Sequence, residues 1–268
     1  MIELHDVVVA YDSRVILDSI NLTIADGETL VVLGGSGSGK STLLRLLIGL
    51  QRPTSGQIIV DGIDITTISE EEFNKVRQKM GMVFQYSALF DSMNVGENVA
   101  FGLRQHTQKS ETEIFDIVSE RLGWVGLSGY ESYMPNELSG GMKKRVSLAR
   151  AIALDPTLIL YDEPSSGLDP ITSGTISMLI RGMQERLGCT SVVVTHDMQS
   201  AFYVADRIAL LDKGRFVEIS TAEEFKHSSH PKVQSRGFHN NWYSIIYCRY
   251  FICGKSRCFR ETTNDYYR

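Results

Sequence analysis

The chain has 268 residues, 43% of them hydrophobic, and a formal net charge of -5, enough apolar content for one large core in a single domain or a domain with an inserted lobe. No run of about eighteen apolar residues occurs, which excludes a membrane-spanning helix, and the opening Met1-Ile2-Glu3-Leu4-His5-Asp6 has neither the basic nor the apolar region of a secretory signal. The acidic balance argues against a general nucleic-acid binder, and Cys189, alone in the body of the chain, fits a reducing compartment.

Residues 2–9 and 15–24 read as strands split by the turn Asp12-Ser13-Arg14. Leu30-Val31-Val32-Leu33 is a pure apolar strand, followed by a glycine-rich turn and an apolar helix from Lys40 to Leu50. Pro53-Thr54-Ser55-Gly56 marks a turn before a strand over 57–60. Ser69 with Glu72 three residues on spells a capping box that opens the next helix, and Gly81 to Gln85 is a short strand. From 88 to 153 the pattern is helical, with helices expected over 94–106, 110–124 and 139–154. Alternation then resumes with strand 157–162, helix 170–187, strand 191–195, helix 198–205 and strand 207–212. This order predicts an α/β fold over residues 1–230. Its mixed sheet core is largely parallel, with antiparallel strands near the N-terminus and a helical lobe inserted at 88–153.

Three motifs carry chemistry. Gly34-Gly35-Ser36-Gly37-Ser38-Gly39-Lys40-Ser41 is a complete phosphate loop between a strand and a helix, with Thr42 next in that helix. Glycines let the backbone wrap an anion, inward N–H groups and the helix N-terminus favour negative charge, Lys40 reaches the β and γ phosphates, and the Ser41 hydroxyl suits Mg²⁺. Leu158-Ile159-Leu160-Tyr161 places a buried strand that delivers Asp162 and Glu163 to the edge where ligands gather in open α/β sheets. Asp162 suits the Mg²⁺ shell, and Glu163 can accept a proton from, or orient, an attacking water. Leu138-Ser139-Gly140-Gly141-Met142 opens a helix, so Ser139 and the glycine N–H groups form a second anion-favouring helix tip.

With these residues the chain resembles the ABC ATPases, cassettes of the P-loop NTPase fold, over residues 1 to about 230. The resemblance implies an active ATPase using ATP and Mg²⁺, with Ser41, Gln85 and Asp162 as the metal-facing residues. It implies further that Tyr11 stacks on adenine beside Val15, that Gln85 ends a strand and couples Mg²⁺ or water to the membrane subunit, and that Ser166-Gly167-Leu168-Asp169 crosses to a partner cassette. His196 then contacts the γ-phosphate, and two identical cassettes sandwich ATP between the 34–41 loop of one and Ser139, Gly140 and Gly141 of the other. Phe84 to Val95, Gly167 to Ile171, Met142 and Lys143-Lys144-Arg145 resemble the ATPases of MCE-linked (Mla-type) phospholipid transporters. The implied partners are an integral membrane permease, a periplasmic MCE-domain protein and a STAS-domain regulator, with the chain peripheral at the cytoplasmic face of the inner membrane. A polar amino-acid or methionine importer ATPase is the alternative. The coiled-coil insertions, zinc modules and fused cassettes of nucleic-acid-acting relatives are not visible, so no nucleic acid is expected.

After His230-Pro231-Lys232-Val233-Gln234, which resembles the start of a short helical extension, the composition changes. Residues 236–268 hold nine of the 24 aromatics, three of the four cysteines and a local charge of +4. Three readings stand: an altered reading frame, a membrane-surface tail built on Trp242, Tyr243, Tyr247, Arg249, Tyr250 and Phe251, or a metal site at Cys248, Cys253 and Cys258 with His239.

Overall fold

β1 (Ile2–Tyr11) and β2 (Arg14–Ile24) alternate buried and exposed side chains and pair antiparallel. The computed structural model describes residues 1–12 and 14–234. Next come β3 (Thr29–Gly34), α1 (Lys40–Leu47), β4 (Ser55–Val60), β5 (Ile63–Asp64), α2 (Glu70–Arg77) and β6 (Met80–Val83). α3 (Val95–His106), α4 (Glu111–Trp124), a 3-10 turn (Pro135–Glu137) and α5 (Gly140–Ala151) make the helical lobe. β7 (Leu158–Asp162), α6 (Pro170–Leu187), β8 (Thr190–Thr195), α7 (Met198–Val204), β9 (Arg207–Asp212), β10 (Arg215–Thr221) and α8 (Ala222–Lys226) follow. Met1–Phe225 form one unit, while the second begins at Lys226 and carries α9 (Pro231–Gln234) in its described part. The three readings of 236–268 lie outside the described residues.

Two sheets are present among the described residues. One has four strands in the order β2-β1-β4-β5, and the other has six in the order β10-β9-β3-β8-β7-β6. β9, β3, β8, β7 and β6 run parallel and β10 is antiparallel to β9. β3 and β8 are buried on every residue, which is why they read as unbroken apolar runs. α1 lies in the shared core of both sheets through Leu43, Leu44, Leu46 and Leu47, each such burial contributing about 1.5–3 kcal/mol.

Expected and observed elements differ at edges that have local causes. α1 stops at Leu47 rather than Leu50, because Gly49 takes a left-handed φ of 68°. α5 stops at Ala151 rather than 154, ahead of Asp155 at φ 49° and Pro156. β6 ends at Val83, so Gln85 does not end a strand but lies two residues past one. Pairing with β7 stops at Val83↔Tyr161, and Ser87 and Ala88 turn the chain with φ of 63° and 46°. β5 and β10 are additional to the expected set. β10 returns on β9 through Lys213-Gly214, a two-residue turn with both φ positive, which is a hairpin signal legible in sequence.

The capping box at Ser69 and Glu72 forms as expected, and matching boxes open α3 (Asn94, Glu97) and α4 (Ser110, Glu113). Asn98 is the polar anchor of the lobe. Fully buried, it accepts from Phe90 N at 2.8 Å and donates to the carbonyls of Phe90, Met93 and Asn94 at 3.0–3.1 Å. Asn98→Ala strands those groups, so it is expected to lower the unfolding free energy by about 1–3 kcal/mol. Urea denaturation checks this, and an unchanged midpoint would remove the anchor role.

Candidate functional site

Strand register gathers the chemistry at one sheet edge. Leu33 pairs with Thr195 across β3 and β8, and Asp162 pairs with Val194 across β7 and β8. The loop after Gly34, the acids at the end of β7 and His196 after β8 therefore leave the sheet side by side. Gly39 caps α1 with φ 109°, and a Cβ there would lie 2.6 Å from Leu17 Cδ2 and 3.2 Å from the Ile16 carbonyl. Only glycine fits both the conformation and the contact. The same hairpin carries Val15 and Tyr11, exposed at 52% and 55%, with Val15 paired to Ala10. An open apolar surface thus borders the loop.

Lys40 is buried, and its Nζ donates to the carbonyls of Gly34 at 2.9 Å and Gly35 at 3.2 Å. It also lies 3.7 Å from Glu163 Oε1. Glu163 Oε2 meets His196 Nδ1 at 2.8 Å and accepts from the Thr195 hydroxyl at 3.3 Å. The Glu163 backbone is left-handed, φ 47°, and its N–H donates to the Val194 carbonyl at 2.9 Å. That conformation costs a non-glycine residue about 1–2 kcal/mol. It sets the carboxylate between the Lys40 ammonium and the largely exposed His196 ring.

Asp162 faces Ser41, and burial, then the adjacent Glu163 charge, raise its pKa against the opposing pull of Lys40 and the Ser41 hydroxyl. Its Oδ1 is buried and has no hydrogen-bond partner among the described residues. An orphaned carboxylate oxygen beside a hydroxyl is a hard oxygen pair that fits Mg²⁺.

Gln85 sits beside this edge, its Nε2 3.4 Å from the Ser166 hydroxyl. Ser139, Gly140 and Gly141 lie elsewhere. Ser139 caps α5, accepting from Met142 N at 3.3 Å, and with Met142, Gly167 and Asp169 these residues line a cleft of about 490 Å³. Asp169 caps α6, accepting from Ile171 N and Thr172 N. No residue of the 34–42 loop lines that cleft. The structure therefore brings Lys40, Ser41, Asp162, Glu163 and His196 together, with Gln85 adjacent, and leaves the serine-glycine tip apart.

The sequence profile of the ABC transporter family matches residues 17–166. The chain belongs to the ABC transporter family. It is 45% identical over 233 residues to the "probable ribonucleotide transport ATP-binding protein mkl" of Mycobacterium tuberculosis, covering 87% of this chain and 65% of that one. It is 42% identical over 233 residues to the "intermembrane phospholipid transport system ATP-binding protein MlaF" of Haemophilus influenzae, covering 87% and 88%. Among solved structures, the dimeric post-hydrolysis state of the ATP-binding cassette MJ0796 bound to ADP and Pi has a TM-score of 0.77 at 34% identity, covering 83% of this chain and 99% of that one. The chain spans just under two thirds of the length of the mycobacterial relative.

This ABC family member also carries residues at the same edge whose contacts no motif indicates. Thr195 holds Glu163 and accepts from Asp197 N at 3.0 Å. Arg150 donates to the carbonyls of Ser87 and Ala88 at 2.8 and 2.6 Å, and Lys144 Nζ reaches the Gln85 carbonyl. Their targets are backbone carbonyls, which leave no mark in sequence, and α5 buries residues around much of its circumference, so periodicity does not single them out.

The raised Asp162 pKa has a stability consequence. A carboxyl whose folded pKa lies above its unfolded value stabilises the fold fully only below about pH 4, and that contribution is lost as pH rises through the folded pKa. Ionising Asp162 as pH rises therefore costs the nucleotide-free chain stability. Asp162→Asn is expected to be more stable than the parent at neutral pH without nucleotide while losing Mg²⁺-dependent nucleotide binding. Thermal melts with and without Mg-ATP measure both, and a destabilised apo variant would contradict that cost.

Proposed function

We propose that the chain is the ATP-binding and ATP-hydrolysing subunit of an ABC transporter that moves phospholipid through a separate membrane permease. The contact chain Lys40–Glu163–His196 at the mouth of the Gly34–Ser41 loop carries this reading. The triphosphate lies on the N–H groups of the loop and the N-terminus of α1, and Lys40 exchanges the Gly34 and Gly35 carbonyls for phosphate oxygens. Glu163, released from Lys40, takes or orients the proton of the attacking water, and His196 turns to the γ-phosphate. Ser41 and Asp162, with Gln85, would hold Mg²⁺, which would neutralise phosphate charge. Tyr11, beside Val15, stacks on adenine.

One chain holds half of each site. Ser139 and Gly141, with Asp169 beside them, serve the loop of a second copy, so two chains form a homodimer around two ATP molecules. The dimeric MJ0796 cassette supports this pairing. No described helix is long and apolar enough to cross a membrane. On this reading the chain works at the cytoplasmic face of the inner membrane against an integral permease, in company with an MCE-domain protein and a STAS-domain regulator. The MlaF relatives, matched over 87% of this chain and most of their own length, support phospholipid as the cargo. The mycobacterial relative, named for ribonucleotide transport, favours a ribonucleotide as the second reading.

Glu163→Gln is expected to keep ATP affinity within about threefold and to lose turnover by at least ~10²-fold, the scale of a lost general base. Phosphate release and equilibrium ATP binding check it, and near-normal turnover would remove Glu163 from its role. With the permease in nanodiscs, phospholipid rather than ribonucleotide is expected to stimulate hydrolysis. Stimulation by ribonucleotide alone reverses the cargo assignment.

A further inference from the structure

The nucleotide edge contains a buried cation that no step above uses. Lys144, in the second turn of α5, is 5% exposed. Its ammonium donates to the Gln85 backbone carbonyl in a short contact, and the Glu163 carbonyl lies 3.5 Å away. Burial lowers its pKa, while the charges of Asp162 and Glu163 hold it up. A buried ammonium needs acceptors, and the two hydrogen-bonding acceptors it finds are main-chain oxygens of the two segments that face the γ-phosphate region. The helix bearing it is the one that Ser139 caps. One side chain therefore ties three segments together: the serine-glycine helix, the turn carrying Gln85, and the left-handed turn carrying Glu163.

We propose that Lys144 is a positioning residue that locks the Gln85 turn and the Glu163 turn to α5, so that both side chains are aimed when a second copy's phosphates meet the α5 tip. This deepens the ATPase reading and rests on it. Lys144 does not line the cleft at the α5 tip, and both its acceptors are main-chain oxygens. Removing it lets the Gln85 turn, already bent through positive φ at Ser87 and Ala88, relax away from the acidic edge, while the loop at 34–41 is left intact. The loss falls on the chemical step and not on ATP affinity.

The test uses the full chain, alone and with its membrane subunit. Lys144→Met keeps length and removes the charge and the donors; Lys144→Arg keeps both. Lys144→Met is expected to lose kcat at least tenfold with ATP Kd within twofold, and Lys144→Arg to stay within threefold of the parent in both. If Lys144→Met does not fold, Lys144→Gln replaces it, expected to lose kcat at least fivefold because its shorter, neutral amide cannot span both carbonyls. A neutral variant turning over at the parental rate overturns the proposal. So does an arginine variant as impaired as the neutral one, or a Kd that rises in step with the lost kcat. Failure of the unsubstituted chain to bind or hydrolyse ATP is a separate result, and it strikes the ATPase reading instead.

Discussion

The Glu163 carboxylate, held between the Lys40 ammonium and the His196 ring, is the interaction on which the site depends. It joins three segments that sequence keeps far apart, and it can do so because β3, β8 and β7 are parallel and in register. In the nucleotide-free chain it satisfies a buried cation and a buried anion together, which separately would be costly. Lys40 completes its coordination with the carbonyls of its own loop. The resting site is thus a set of internal contacts at the place where a triphosphate would bind.

Two further constraints shape that edge. Glu163 holds a left-handed backbone whose N–H donates to the Val194 carbonyl and whose carbonyl accepts from Ser166 N. Asp162 keeps one buried oxygen without a hydrogen-bond partner among the described residues. Strain and unsatisfied polarity of this kind persist where surrounding structure over-determines them and where a ligand later makes use of them. The helical lobe answers with cations: Lys144 and Arg150 of α5 hold the carbonyls of Gln85, Ser87 and Ala88. The segment joining sheet to lobe is in this way fixed from the lobe side.

Much of this was legible beforehand for physical reasons. Residues 34–41 announce themselves because glycine spacing and a lysine at a helix tip are demanded by the backbone path itself, and 158–163 because a fully buried parallel strand reads as an apolar run. Gln85 is legible too, but apolarity extends its strand two residues too far, since an edge strand ends where pairing ends. Asn98 and Thr195 leave no mark of their roles in the sequence, and Lys144 is legible only as part of a family resemblance, because their partners are main-chain groups or a single distant carboxylate. The separation of the Ser139 cleft from the loop is what the resemblance to the ABC ATPases implies, and the fold shows it.

That separation makes pairing of two copies the central physical claim. Sedimentation velocity of the full chain with Mg²⁺ and a non-hydrolysable ATP analogue measures it directly. The account predicts a species of doubled mass that appears as nucleotide saturates and disperses when it is removed. A chain that binds the analogue to saturation and still sediments as a monomer, with its membrane partner supplied, would contradict it.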